Sequence, residues 1–266
     1  MEVKTTTLSA YDNLELKEAT FQNQSFPDHF HDAYSIGILE RGIEQIILPH
    51  KTIIAHANAV IVINPYDIHA HCCFDNESWK YRIIYINADA VNYIQNKAGL
   101  SAGKRLYFPT QLIEDNHLYQ LILNFHLHSS ENKMQYLDII IRYLVAAYSE
   151  ESPESTVTQY KGRIKEAASF MQHNFSDKII VDDIAAQFGM DKYKFIRSFK
   201  QEIGITPVSY LLLHRINHSK KLISQKMPIV EVALETGFYD QSHFTHYFKK
   251  YIGISPLLYR KGLVTG

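Results

Sequence analysis

The pattern of apolar positions changes near residue 88 and divides the first half of the chain. Between residues 26 and 87, short β-branched and aromatic runs alternate with turn-forming residues, as in AYSIGILERGIEQIILP and HANAVIVINP. Arg41-Gly42 is predicted to form a hairpin turn. Pro65 is predicted to end a strand, because proline has no N–H to donate to a central ladder. Short strands separated by short turns predict a sandwich or a small barrel.

Residues 88–149 follow a helical period instead. One apolar stripe is formed by Leu112, Leu118, Ile122 and Phe125, and a second by Met134, Leu137, Ile140, Ile141, Leu144 and Val145. Spacings of three and four residues predict a pair of amphipathic helices. The second stripe fits either core packing or a helix at a subunit interface.

The polar stretch SEESPESTVTQ follows. It contains Pro153, and its apolar residues show no periodic spacing. Such composition predicts an interdomain linker, and the chain looks helical from Tyr160 onward. With 266 residues the chain is long enough for two domains. We expect them at residues 1–149 and 160–266, joined by a linker at 150–159.

An internal repeat dominates the C-terminal part. FKQEIGITPVSY at 199–210 recurs as FKKYIGISPLLY at 248–259, an offset of 49 residues. Upstream, DIAAQFG at 183–189 matches EVALETG at 231–237, at an offset of 48. The inner turn of the second copy is therefore one residue longer, and both copies belong to one kind of supersecondary unit.

Each copy has the sequence features of two helices joined by a tight turn. Ala185 and Ala233 are small residues where helices pass closely, and Gly189 and Gly237 stand where a turn needs positive φ. The apolar positions of the following helices are Phe195, Phe199, Phe244 and Phe248. This is the helix-turn-helix plan, whose second helix enters the major groove of DNA.

A helical hairpin repeated only for packing would explain the alanines, glycines and phenylalanines. It would not explain polar, groove-reading side chains on the outward positions of both second helices. These are Lys192, Tyr193, Lys194 and Arg197 in the first copy, and Gln241, Ser242, His243 and His246 in the second. Between the copies, Thr206 can cap a helix that Pro207 begins. About 18 helical residues span about 27 Å, comparable to the roughly 34 Å pitch of DNA.

Charge supports a polyanionic partner for the second half. Residues 1–155 contain 11 Lys and Arg against 19 Asp and Glu, whereas residues 156–266 contain 16 against 9. Such asymmetry suggests that the basic half meets nucleic acid, although a solvated basic face would also account for it. No run of 18 apolar residues and no apolar leader is present, so we expect no membrane span and no secretory signal.

Residues 160–262 resemble the DNA-binding domain of the AraC/XylS family of regulators. The most specific stretch is IVEVALETGFYDQSHFTHYFKKYIGISPLLYR. Two positions in the first unit and the connecting helix depart from the family pattern: Asp191 replaces a common Ser cap, and Ser219 replaces a common Ala. The resemblance assigns base reading to Tyr193, Ile196 and Arg197 in the first unit, and to Gln241, Ser242 and His246 in the second.

Arg197 is the strongest base-reading candidate, because Arg is the commonest bidentate reader of guanine. His246 departs from the Arg often found there, so we expect weaker reading by the second unit. Phosphate contacts are assigned to Lys192, Lys194, Lys249 and Lys250; for each, a solvated surface charge is an equally good explanation. With His243, these residues complete the predicted DNA-binding set.

FPDHFHDAYSIGILERG, NPYDIHAH and WKYRIIYIN resemble the sensor domain of the same family, a small barrel of cupin type. We expect an effector pocket formed by His29, His31, Tyr34, His69, Arg82 and Tyr85. The guanidinium of Arg82 suits a carboxylate, but strand alternation leaves its inward or outward direction open.

The His-x-His pair and His69 match three ligands of metal-binding cupins. Ser35 stands near the place of their Glu, so we favour an organic ligand and expect no metal and no cofactor. The adjacent Cys72 and Cys73 would point to opposite faces of a strand, and they indicate no disulfide framework.

The fold class expected is therefore α+β and multidomain, with a cupin-like barrel, a helical pair and an all-α domain of two helix-turn-helix units. The function expected is a cytoplasmic, ligand-responsive transcription regulator that binds promoter DNA as a homodimer and contacts RNA polymerase. A metal-binding cupin enzyme or metal sensor fused to a DNA-binding domain is the alternative, and a barrel that only dimerises is a third. No Ser-His-Asp order, P-loop or HExxH motif supports an enzyme. The effector, the operator and the choice between activation and repression stay open.

Overall fold

The computed structural model describes residues 2–8, 14–74, 78–97, 106–109, 111–128, 130–151 and 162–265. Its contacts form two compact units, one mainly from residues 1–153 and the other mainly from residues 154–261. Most of the predicted linker at 150–159 lies outside the described residues. Within the described part of the chain, no helix combines the length and apolar character needed to cross a membrane.

The N-terminal unit is built on strands. They are β1 Glu2–Leu8, β2 Leu14–Gln22, β3 Ser25–His29, β4 Tyr34–Arg41, β5 Ile43–Leu48, β6 Lys51–His56, β7 Val60–Ile63, β8 His69–Cys73, β9 Ser78–Ile86, β10 Leu106–Tyr107, β11 Leu112–Ile113, β12 Glu150–Glu151 and β13 Leu263–Thr265. One sheet has the order β11-β7-β4-β9-β2-β1-β13, a second β3-β8-β5-β6, and β10 pairs with β12. The last strand, β13, runs parallel to β1.

The turn at Arg41-Gly42 is present but is not a hairpin. Gly42 adopts a φ of +85°, and a Cβ there would lie 2.3 Å from the carbonyl oxygen of Ser78. Strand β4 pairs with β7 and β9, whereas β5 pairs with β6 and β8. The glycine therefore turns the chain from one sheet to the other. The predicted strand end before Pro65 is confirmed, since β7 ends at Ile63.

Helices cover one face of the seven-stranded sheet. They are α1 Ala88–Lys97, α2 Asn116–Leu127 and α3 Ser130–Tyr148. Ile36, Ile84 and Val62 of the sheet share a buried cluster with Ile122 and Leu144 of α2 and α3. The predicted helical pair is confirmed, and the stripe from Met134 to Val145 packs within this chain. Leu112, assigned to a helix by its spacing, lies in β11 instead.

The C-terminal unit is helical. Its helices are α4 Arg163–His173, α5 Val181–Gln187, α6 Lys192–Ile203, α7 Pro207–Ser224, α8 Ile229–Glu235, α9 Gln241–Ile252 and α10 Pro256–Gly262. The repeat has a structural cause: Phe199 packs on Tyr210, and Phe248 packs on Tyr259, each with ring centroids 5.4 Å apart. Both copies thus tie the second helix of the motif to the helix that follows it.

Candidate DNA-binding surface and ligand-binding pocket

The first helix-turn-helix consists of α5 and α6, joined at Gly189. This glycine has a φ of +68°, as its place in the repeat predicts. Ala185 is 1% exposed where the two helices meet. The carboxylate of Asp191 then accepts a hydrogen bond from the backbone N–H of Lys194 at 2.9 Å, so Asp191 caps α6 as expected.

The second helix-turn-helix consists of α8 and α9, and its turn is more crowded. Gly237 has a φ of +78°, and a Cβ there would lie 2.4 Å from the carbonyl oxygen of Ser176. Asp240 caps α9 by accepting from the N–H of His243 at 2.7 Å. Sequence reasoning missed Asp240, although an acidic residue directly before the helix, as in the first unit, was an available signal.

Helix α6 presents a polar face to solvent. Lys192, Tyr193, Lys194 and Arg197 are exposed, and Ile196 is half-buried. Tyr193 is 77% exposed, so its ring is accessible to a binding partner. Lys192 already pairs with Asp182 at 2.8 Å, and this hydrogen bond raises the pKa of the Lys192 ammonium. A phosphate contact by Lys192 would have to replace that ion pair.

Helix α9 presents a second polar face, with one predicted residue set apart. Gln241, Ser242, His246 and Lys249 are exposed. His243 is half-buried, and its ring packs edge-on against Phe238 at 5.4 Å and Tyr247 at 5.1 Å. The ring of His243 thus packs between these two aromatic residues, and its predicted contact with DNA stays a prediction. Tyr239, which the sequence reasoning did not select, is 88% exposed and immediately precedes the cap residue Asp240.

Arg215 on α7 connects the parts of this unit. Its Nε donates to the carbonyl oxygen of Phe175 at 2.7 Å, and its Nη2 donates to that of Asp177 at 2.8 Å. The guanidinium also lies 5.8 Å from the ring centre of Phe238. Burial lowers the pKa of this group. Because Phe175 precedes the first motif and Phe238 lies in the second, Arg215 links the segment that leads into the first motif to the second motif.

Four of the six predicted pocket residues, His29, His31, His69 and Tyr85, come together. The nitrogens of His29, His31 and His69 lie within 4.8 Å of one another. The ring of His31 is 4.8 Å from that of Tyr85 and 5.2 Å from that of His69. His71 extends the cluster, since its ring lies 5.0 Å from that of His69. Its Nδ1 also lies 2.8 Å from the carboxylate of Glu44.

Backbone carbonyls orient two of these histidines. The Nδ1 of His29 lies 2.8 Å from the carbonyl oxygen of Pro27, and the Nδ1 of His69 lies 2.8 Å from that of Asp67. A nitrogen facing a carbonyl oxygen must carry the proton, so the lone pair of each ring is on Nε2. His29 and His69 are therefore set to present acceptor nitrogens.

The structure does not bring Tyr34 and Arg82 to this cluster. Strand alternation places Arg82 on the face of β9 opposite to Tyr85. The hydroxyl of Tyr34 donates to the carbonyl oxygen of Leu106 at 2.7 Å, on the helix-covered face. Arg82 is bidentate to Glu18 at 2.9 Å and contacts Glu40 at 2.6 Å. The sheet thus separates the predicted pocket residues into two groups, the histidines with Tyr85 on one side and Tyr34 with Arg82 on the other.

Comparison with known proteins identifies both units. Residues 13–136 match the family model described as AraC-like ligand binding domain, and residues 184–262 match one described as helix-turn-helix domain. The chain belongs to the AraC family of transcriptional regulators. It combines an N-terminal ligand-binding domain with a C-terminal helix-turn-helix domain, and the predicted family and function are confirmed.

Curated proteins are similar to this AraC family member over nearly its whole length. It is 29% identical over 250 residues to the uncharacterized HTH-type transcriptional regulator YbfI of Bacillus subtilis, covering 91% of this chain and 90% of that protein. It is 22% identical over 254 residues to the HTH-type transcriptional activator RhaS of Klebsiella pneumoniae, covering 92% and 91%.

A solved structure shows the same fold. Unsaturated fatty acid-bound ToxT from Vibrio cholerae aligns with a TM-score of 0.62 and 14% identity, covering 95% of this chain and 97% of that one. This agreement confirms the expected fold class of an N-terminal β-rich domain and a C-terminal helical domain.

Proposed function

We propose that α6 and α9 read two major-groove segments of a promoter operator, and that a small molecule bound by the N-terminal domain changes transcription. The observation that carries this proposal is the pair of capped helices, each following a left-handed glycine and each presenting exposed polar side chains. The charge excess of the second half supports DNA as the partner. The protein acts as a regulator and not as an enzyme.

In this proposal Arg197 reads guanine from α6, with Tyr193 and Ile196 contacting neighbouring bases. Gln241 suits adenine, because its amide can donate and accept in one plane. The remaining base contacts come from Ser242 and His246. The phosphate contacts come from Lys192, Lys194, Lys249 and Lys250. The half-buried His243 supports α9 through its packing.

The proposed effector pocket is the histidine cluster with Tyr85. Two oriented acceptor nitrogens and a phenol are convergent polar groups of the kind that small-molecule sites use. The relative ToxT is found with an unsaturated fatty acid, which supports a small organic effector here. Binding would shift the population of DNA-binding states by differential affinity.

We further propose a cytoplasmic homodimer that contacts RNA polymerase at the promoter. The sensor domain comprises residues 1–149 and the linker residues 150–159. The DNA-binding domain comprises residues 160–266, and within that range the final strand, β13, pairs with β1 of the sensor domain. The free thiols of Cys72 and Cys73 suit a reducing compartment.

Selection of genomic fragments by the purified protein at about 0.15 M salt tests this proposal. We expect a motif with two segments about one helical turn apart, with recovery altered by a small-metabolite extract. Arg197→Ala should relax base preference in one segment only, whereas Lys226→Ala is the control for loss of an exposed charge. Recovery of only non-specific, salt-sensitive binding would contradict the proposal.

The three convergent histidines favour a second candidate, a metal-responsive regulator. Three imidazoles suit Zn²⁺ or a related divalent ion, with an open position for water or a ligand. Co²⁺ titration followed by visible absorption tests this directly. Saturable absorption that His31→Ala abolishes and that the exposed-site variant His128→Ala leaves intact would support the metal. A flat titration would leave the organic effector as the sole candidate.

A further inference from the structure

A cavity of about 280 Å³ lies on the helix-covered side of the seven-stranded sheet. It is lined by residues of β1, β2, β9, α2 and α3 together with His128. These are Lys4, Thr6, Leu16, Lys17, Glu18, Arg82, His126, His128 and Lys133. Since Arg82 and Tyr85 face opposite sides of β9, this cavity is separate from the proposed effector pocket.

The cross-strand register places charged side chains in one row along its floor. Lys4 of β1 lies directly opposite Glu18 of β2, and Glu18 lies directly opposite Arg82 of β9. Lys17, the neighbour of Glu18, points to the other face, where its ammonium lies 5.8 Å from the ring centre of Phe21. The floor therefore offers Lys4, Glu18 and Arg82.

The carboxylates near the cavity are already engaged. Glu18 contacts Arg82 at 2.9 Å and Lys80 at 3.0 Å. Glu40 contacts Arg82 at 2.6 Å and Lys80 at 3.2 Å. These two carboxylates balance the two cations that they bind, so the positive charges of Lys4 and Lys133 remain in excess.

Lys133 is held against the end of α2. Its ammonium donates to the carbonyl oxygens of Phe125 at 3.0 Å and of His126 at 3.4 Å. An ammonium has three N–H donors, and these two bonds leave one for a further acceptor. In the part of the chain that the structure describes, no carboxylate forms an ion pair with Lys133.

His126 supplies an unmatched polar atom at the same place. Its Nε2 is buried, and no group among the described residues forms a hydrogen bond with it. Such atoms are rare in folded proteins and call for an explanation, such as a bound ligand. A neutral imidazole with its proton on Nε2 would donate one hydrogen bond into the cavity.

The lowered pKa values of Lys133 and His126 agree with an excess of positive charge. Burial lowers the pKa of Lys133, and the charges of Arg82 and Lys4 lower it further. Burial also lowers the pKa of His126 to about 3, with contributions from Arg82 and Lys133. A bound anion would relieve this repulsion.

We propose that this cavity binds a small oxyanion, a phosphate or carboxylate group, between the ammonium groups of Lys4 and Lys133 and the ring of His126. Charge-assisted hydrogen bonds from ammonium groups suit either anion. The volume lies near the lower limit of about 300 Å³ for ligand pockets, so the occupant is small. It would join β1 and β2 to the α2–α3 pair.

The test is calorimetric titration of the full-length protein with inorganic phosphate, and separately with succinate, at constant ionic strength set with chloride. Saturable binding with a Kd of about 1 mM or tighter supports the site. Preference for phosphate would identify phosphate esters as occupants, and preference for succinate would identify carboxylates. Absence of binding by both anions up to about 10 mM would overturn the proposal.

Variants separate a site from surface attraction. Lys133→Gln and Lys4→Gln should each weaken binding about tenfold or more, whereas Lys97→Gln at the end of α1 should leave it unchanged. Lys133 also caps α2, so its replacement can disturb folding. If Lys133→Gln fails to fold, Lys4→Gln still tests the proposal, because Lys4 is exposed. Equal weakening by Lys97→Gln would overturn the proposal. Tyr85→Phe, in the effector pocket, should retain anion binding.

Discussion

Replacing Arg215 by Met should decouple the two helix-turn-helix motifs. Met keeps most of the aliphatic volume of Arg215, which is 8% exposed on α7, but has no hydrogen-bond donor. The substitution therefore removes the two charged bonds to the carbonyl oxygens of Phe175 and Asp177. It also removes the cation beside the ring of Phe238.

The expected loss of stability follows from what replaces those bonds. A hydrogen bond from a charged donor contributes about 1.5–3 kcal/mol, and an unsatisfied buried acceptor costs a similar amount. Phe175 is half-buried and Asp177 is exposed, so water can reach the second carbonyl more easily than the first. We expect the free energy of unfolding to fall by about 2–4 kcal/mol.

Urea unfolding of the full chain measures this change. Circular dichroism at 222 nm reports on helices, and the fluorescence of Trp79, the only tryptophan, reports on the N-terminal sheet. The urea concentration at the midpoint of the circular dichroism transition should fall. The midpoint of the fluorescence transition should stay the same. Lys221→Met, which removes an exposed charge from the same helix, is the matched control.

Operator binding provides the second readout for Arg215→Met. Binding to the two-segment operator should weaken more than binding to either segment alone, because the orientation between α6 and α9 is no longer fixed. A loss of less than about 1 kcal/mol, or equal weakening on one and two segments, would refute the role given to Arg215.

Three further outcomes are expected. Asp191→Ala and Asp240→Ala should each lower the free energy of unfolding by about 1 kcal/mol through loss of a helix cap, and Asn at either position should restore most of it in urea unfolding. Lys194→Ala should weaken binding to all DNA sequences uniformly and reduce the salt dependence of binding by about one ion, in contrast to Arg197→Ala. Binding titrations at several salt concentrations measure this difference. Burial lowers the pKa of His214 to about 4 from its ordinary 6.5, so the unfolded chain binds the proton first and stability should fall as the pH drops from 6.5 to about 4. His214→Gln should flatten that fall in urea midpoints, and an unchanged pH profile would contradict it.

The helix-turn-helix motifs were predictable from sequence because their determinants are local. Gly189 and Gly237 are required by a backbone conformation, and Asp191 caps the next helix within three residues. Phe199 and Tyr210 recur at the same spacing as Phe248 and Tyr259 because each pair closes one copy of the motif. Interactions over so few residues leave periodic traces, which a repeat makes visible.

The N-terminal domain was predictable only in outline, because its site depends on strand pairing over long distances. Alternation shows that Arg82 and Tyr85 face opposite sides of β9, but it does not say which side the helices cover. The packing of Ile84, which shares a face of β9 with Arg82, against Ile122 and Leu144 of the helices settles that question. The local sequence at Gly42 similarly predicts a hairpin turn, but its flanking strands lie in different sheets.

The contacts of Arg215 and Lys133 also belong to the tertiary structure alone. Arg215 reaches a carbonyl 40 residues away, and Lys133 lines one cavity with Lys4 and His126 only because folding brings α2, α3 and β1 together. Such side chains have no periodic or local signature, since a backbone carbonyl accepts from any donor that folding brings near. Local chemistry therefore determined which helices this protein forms and which of their residues face DNA, whereas long-range packing decided how the motifs are oriented and where its cavities lie.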